Sequence, residues 1–102
     1  MIKENDNFLE IGSDSINDGF MELLAKLDDT YTQYNYDLVV GDKVMAQRAM
    51  DFINGIICSL TYLFNITVKE QHGSSDLMLQ IWRVDVYDNK GVLLMNICPI
   101  TF

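Results

Sequence analysis

Only a few side chains in this sequence have the chemistry to act on another molecule. His72 is the single histidine, and histidine is the side chain best suited to proton transfer near neutral pH. It stands in the polar stretch Gln71-His72-Gly73-Ser74-Ser75, which reads as a solvated loop. A nucleophilic Cys-His pair would need Cys58 or Cys98 to reach that loop, yet both lie in apolar surroundings that point inward. The sequence therefore offers no catalytic residue, and the chain reads as non-enzymatic. With no secretory leader in Met1-Ile2-Lys3-Glu4-Asn5-Asp6, the cysteines read as two buried free thiols of a cytoplasmic protein. In the same setting the sequon Asn65-Ile66-Thr67 reads as accidental.

Metal and cofactor chemistry fares no better. Structural zinc needs clustered Cys, His or acidic ligands, and two separated cysteines with one distant histidine do not supply them. The run Asp14-Ser15-Ile16-Asn17-Asp18-Gly19 opens like a calcium loop, but Ile16 stands at the third position and Ala25 at the twelfth, where oxygen ligands are required. Glycines at 12, 19, 41, 55, 73 and 91 are scattered singly, so no phosphate-cradling loop is present. No metal and no cofactor is assigned.

What remains is charge. The 102 residues carry 15 acids and seven bases, a formal charge of −8. Residues 1–37 hold nine acids against two bases, a balance of −7, whereas residues 38–102 hold six against five. This excess argues against direct binding of nucleic acid, which rests on Lys and Arg, and against an anionic membrane surface. Asp14, Asp18 and Glu22 are spaced by four, which on a helix makes a stripe of like charges. Asp28 and Asp29 follow, and Tyr36 and Asp37 sit beyond them, Tyr36 being the freest of the three tyrosines at 31, 34 and 36. Such acids suit a row of Lys and Arg on a protein partner, including a row that normally holds a nucleic-acid backbone. The alternative reading is a solvated face serving solubility.

The elements that must position these residues follow from periodicity. Ser15-Ile16-Asn17-Asp18 has the spacing of a capping box, and Ile16, Phe20, Leu23, Leu24, Leu27, Tyr31 and Tyr34 recur at helical intervals. A helix is expected over 16–34. Leu38-Val39-Val40 is expected to tuck into the core or form a short strand. Asp42 can cap a second helix, with Met45, Ala49, Phe52, Ile53, Ile56, Ile57, Leu60, Leu63 and Phe64 making a stripe wide enough for a central, mostly buried element. That helix is expected to reach residue 64, although alternation from Ile56 to Val68 also fits a strand, in which case Asn54-Gly55 would end the helix.

Two apolar runs, Leu77 to Tyr87 and Val92 to Cys98, flank Asp88-Asn89-Lys90-Gly91 and predict a hairpin. Ile66 to Glu70 adds a strand, and Pro99 marks where the last one stops pairing. The expected fold class is α+β: two amphipathic helices on a three-stranded antiparallel meander, α-α-β-β-β, a two-layer sandwich in one acidic domain over 1–102. Trp82 is expected to share a strand face with Met78, Val84 and Val86, leaving both sheet faces apolar. Trp82, Met78 and the tail residues Ile100 and Phe102 are then candidates for self-association. The leading expectation is a small inhibitor, of the immunity or mobile-element anti-defence type, that docks an anionic helix on a basic protein surface. The runner-up is an assembly subunit that forms a homodimer through its sheet.

Overall fold

The computed structural model describes the backbone of residues 2–73 and 79–102 and the side chains of residues 18–73 and 79–102. Two helices, α1 (Ile2–Val40) and α2 (Lys43–Phe64), precede three strands, β1 (Thr67–His72), β2 (Ile81–Tyr87) and β3 (Leu93–Ile97). The strands form an antiparallel sheet in the order β1-β2-β3, and the helices cover one of its faces. This is the expected α+β class with the expected order of elements.

Helix α1 exceeds its expected length at both ends. It starts at Ile2 rather than near Ser15, because a capping signal met inside a helix competes with cheap propagation and loses; the side chains of the capping box, Asp14 included, lie outside the described ones. At the other end Leu38-Val39-Val40 is helical and not a strand. Gly41 takes φ +80°, its N–H donates to the Leu38 carbonyl at 3.2 Å, and the Asp42 N–H donates to the Asp37 carbonyl at 3.0 Å. That pair of bonds is a Schellman stop, so the helix runs until the glycine permits the left-handed turn. Asp42 then caps α2 as expected, its carboxylate accepting from the Met45 N–H at 3.0 Å.

Helix α2 passes through Asn54-Gly55 and ends at Asn65, which takes the left-handed conformation (φ 55°, ψ 45°) while its N–H donates to the Thr61 carbonyl. The helical reading of 56–64 therefore holds. It is not a central element, however. Ala46, Ala49, Ile53, Ile56 and Leu60 are buried along one side, whereas Val44, Met45, Phe52, Tyr62 and Leu63 are exposed. Cys58 and Cys98 are also exposed, contrary to the expected inward thiols: Cys58 lies two residues from both Ile56 and Leu60, off the buried side of a 3.6-residue period, and Cys98 follows the end of β3.

The core joins Leu24, Leu27 and Tyr31 of α1, Ile53, Ile56 and Leu60 of α2, and Ile66, Ile81, Val84, Val86 and Ile97 of the sheet layer. Each fully buried aliphatic among them contributes roughly 1.5–3 kcal/mol. A polar link is set into this layer: the Tyr31 hydroxyl donates to Glu70 Oε2 at 2.5 Å. Burial first, and then the Glu70 carboxylate, hold the Tyr31 phenol above its ordinary pKa of 10.0. The unfolded chain thus releases this proton before the folded one, and stability present below pH 10 falls as pH rises beyond it. Tyr31→Phe is expected to cost about 1–3 kcal/mol near neutral pH through the orphaned carboxylate and to flatten the alkaline loss. Urea titrations at neutral pH and above pH 10 check both.

Hairpin β2–β3 turns as expected at Asp88-Asn89-Lys90-Gly91. Asp88 Oδ1 accepts from the N–H groups of Lys90 (2.8 Å) and Val92 (2.9 Å), and Gly91 takes φ +81°. The expected face assignment of Trp82 is overturned. Gln71 pairs with Arg83 and His72 with Ile81, which leaves Trp82 as the extra residue of a β-bulge. The bulge shifts the alternation, so that Ile81, Val84 and Val86 face the helices while Trp82 is 42% exposed.

The outer sheet face carries polar side chains, while Trp82, Leu93 and Leu94 remain exposed on the sheet. Arg83 Nε lies 3.1 Å from Asp85 Oδ1, Gln71 donates to Asp85 Oδ2 at 3.5 Å, and the Lys69 ammonium sits 5.3 Å from the centre of the Tyr87 ring. Leu79, expected within a long β2, stands outside it at φ 61°, and Met78 lies outside the described residues.

Candidate acidic interface

The middle of α1 carries the candidate site. Asp18, Glu22 and Asp29 are exposed and separated by four and seven residues, which aligns them along one side of the helix. The core residues Leu24, Leu27 and Tyr31 are buried on the opposite side, so the packing that fixes α1 also aims these carboxylates outward. Tyr36 continues the same line one heptad beyond Asp29. Its ring is half exposed and is held edge-on against Phe102, centroids 5.5 Å apart.

The other acids of the region separate from this line. Asp28 is turned toward β3, half-buried in a hollow lined by Met21, Leu24, Met95 and Cys98. Burial there, followed by the charge of Asp29, raises its carboxyl above the ordinary 3.8. Asp37 is only 4% exposed, which corrects its expected place on the open face. Position 37 falls a quarter turn from the Asp18–Glu22–Asp29 line, toward α2.

Asp37 instead lines a groove of about 340 Å³ between the two helices. Asp29, Gln33 and Asp37 form one wall, and Met45, Ala49 and Phe52 the other. The Gln33 amide donates to Asp37 Oδ1 at 2.9 Å. Asp37 Oδ2 is buried and has no hydrogen-bond partner among the described residues. Arg48 also lines the groove, but among the described residues it makes no ion pair within 4.0 Å; the two pairs present are His72–Glu70 and Arg83–Asp85. The sequence reading missed Gln33, Arg48 and the opening of Met45 and Phe52. The signal available was Asp29, Gln33 and Asp37, spaced by four along the flank of the apolar stripe.

The tail residues are engaged with their own chain. Asn35, fully buried, donates to the carbonyls of Ile81 (2.8 Å) and Ile100 (3.0 Å), and its Oδ1 accepts from the Ile81 N–H at 2.8 Å. Thr32 Oγ1 accepts from the Ile100 N–H at 3.1 Å. Gln80 exchanges two hydrogen bonds with the backbone of Phe102, at 2.7 and 2.8 Å. The side chains of Ile100 and Phe102 remain exposed, although their backbone is anchored.

Of the groups considered for chemistry, His72 is exposed, with Nε2 3.8 Å from Glu70 Oε1 and Nδ1 3.5 Å from the Leu79 carbonyl. Among the described residues no three His, Cys, Asp or Glu side chains converge as a metal site. No helix among them is long and apolar enough to cross a membrane. No protein-family model matches the chain, and no curated protein or solved structure gives a significant match.

Proposed function

We propose that this chain is a small non-enzymatic inhibitor that works in the cytoplasm by docking the acidic side of α1 on a basic surface of a partner protein. The reading is carried by one observation: Asp18, Glu22 and Asp29 stand exposed in line on a long helix whose other side is locked into the core. Carboxylates held in a row on a rigid element face a row of Lys and Arg without reorganising, which favours fast, steered association. A basic groove that handles nucleic acid is the natural target class, because its cations are already arranged to meet regularly spaced negative charge. Immunity proteins and mobile-element inhibitors of defence enzymes are functional types that work this way.

The experiment is affinity capture with identification of the bound protein, run in parallel on wild type and on Asp18→Lys/Glu22→Lys/Asp29→Lys. The identified partner is expected to be lost from the triple variant and to elute from wild type with moderate salt. Equal recovery on both baits would contradict the reading.

A second reading, self-association, is supported by the exposure of Trp82, Ile100 and Phe102. It predicts a sedimentation mass that rises with concentration and a return to monomer on Trp82→Ser. A constant monomer mass would remove it.

A further inference from the structure

We infer that the groove between α1 and α2 is a receptor for a single arginine side chain of the docked partner, with Asp37 as the buried anion that its guanidinium meets. The inference deepens the inhibitor reading and rests on it for the source of the arginine, but not for the site itself.

Three features converge on a cation with an apolar stem. The first is the anion. Asp37 Oδ1 is satisfied by Gln33 at 2.9 Å, while Oδ2 is buried with no hydrogen-bond partner among the described residues. An ionised carboxylate accepts several hydrogen bonds, and leaving one oxygen dry and unpaired is costly. Oδ2 is closed to water as the side chain stands, so a donor entering the groove that Asp37 lines relieves that cost by turning the carboxylate toward it. The second is the mouth: Asp29 stands exposed on the same wall, one helical turn before Gln33 and two before Asp37, so negative charge is present both outside and at depth. The third is the far wall, where Met45, Ala49 and Phe52 offer methylene contact and an aromatic ring. A planar guanidinium is weakly hydrated, stacks on rings and carries five donors in a fixed fork, enough to reach Asp37 Oδ2 and a second acceptor together. An ammonium keeps its water more strongly and is the poorer fit. A metal ion fits worse, since among the described residues no three ligand side chains converge.

Among the described residues, Arg48 is the internal competitor. It lines the groove yet forms no ion pair with Asp29 or Asp37 within 4.0 Å, so the groove's own cation leaves the carboxylates open.

The test needs no partner. N-acetyl-arginine amide is titrated into isotope-labelled full-length protein and followed by amide chemical shifts. Saturable shifts are expected at the Gln33 side-chain amide and the backbone of Met45, Ala49 and Phe52. The neutral isostere N-acetyl-citrulline amide and the variant Asp37→Asn should each bind at least about tenfold more weakly, while Asp18→Lys/Glu22→Lys should leave the groove shifts in place. Asp37→Asn keeps the shape and can still accept from Gln33, and its melting curve confirms that it is folded.

Absence of localised shifts in wild type would overturn the inference. So would equal binding by Asp37→Asn, equal binding of N-acetyl-lysine amide, or binding that emerges only in Arg48→Gln, which would show Arg48 already filling the site. Failure here alongside partner loss from the charge-reversed bait would leave the inhibitor reading standing. Arginine binding with unchanged partner capture would do the reverse.

Discussion

Asn35→Leu is expected to destabilise the protein by about 3–5 kcal/mol, a large share of the roughly 5–15 kcal/mol that holds a domain of this kind folded. The side chain is fully buried and makes three hydrogen bonds, two of them to both polar groups of the Ile81 backbone. Leucine of similar size fills the space but leaves the buried Ile81 N–H and carbonyl and the part-buried Ile100 carbonyl without that partner. Each orphaned buried group costs about 1–3 kcal/mol, and those at Ile81 have no easy route to water. The carboxamide also fixes where β2 begins and where the tail crosses α1, so its loss is expected to loosen residues 99–102 as well. A urea midpoint that falls steeply at constant slope, with faster amide exchange at Phe102, is the expected outcome. A loss under about 1 kcal/mol would mean that water or another group takes over these bonds.

Reversing Asp18, Glu22 and Asp29 to lysine is expected to weaken partner binding by about two orders of magnitude or more, while stability changes by less than about 0.5 kcal/mol. These carboxylates are exposed and make no ion pair within 4.0 Å among the described residues, so the fold loses little with them. Like charges four apart, as at Asp18 and Glu22, repel by roughly 0.2–0.5 kcal/mol. Removing Asp29 also relieves Asp28, whose carboxyl it helps to raise. Against a basic surface the same change replaces attraction by repulsion at three points, and most of the loss should appear in the association rate. Stopped-flow association with the identified partner at low and moderate salt separates the two contributions.

Much of the fold was legible because its signals are local and repeat. The helical stripe from Phe20 to Tyr34, the Asp42 cap and the Asp88–Gly91 turn each declare themselves within a few residues. The choice between helix and strand at 56–64 stayed open in the spacing, because both periods fit; the structure decides it, with α2 running to Phe64 and ending at a left-handed Asn65. Features set by distant partners were not legible. The Trp82 bulge adjoins Ile81, whose backbone is held by Asn35, 46 residues away, and a strict alternation cannot express an inserted residue. Likewise, Asp37 looked like another surface acid until α2 folded back along it. Of the candidate site, the spacing by four of Asp14, Asp18 and Glu22 was legible, whereas the place of Asp29 in line with Asp18 and Glu22 and the α1–α2 groove required the packed helices.

The most direct measurement is carboxylate footprinting of the isolated complex, in which exposed acids are coupled to an amine and the modified positions are read by mass spectrometry. Protection of Asp18, Glu22 and Asp29 on complex formation is predicted, with Asp88 in the β2–β3 turn labelled as fully as in the free chain. Undiminished labelling of all three α1 carboxylates in a complex that protects the sheet or its turn would contradict the proposal that this helix is the docking face.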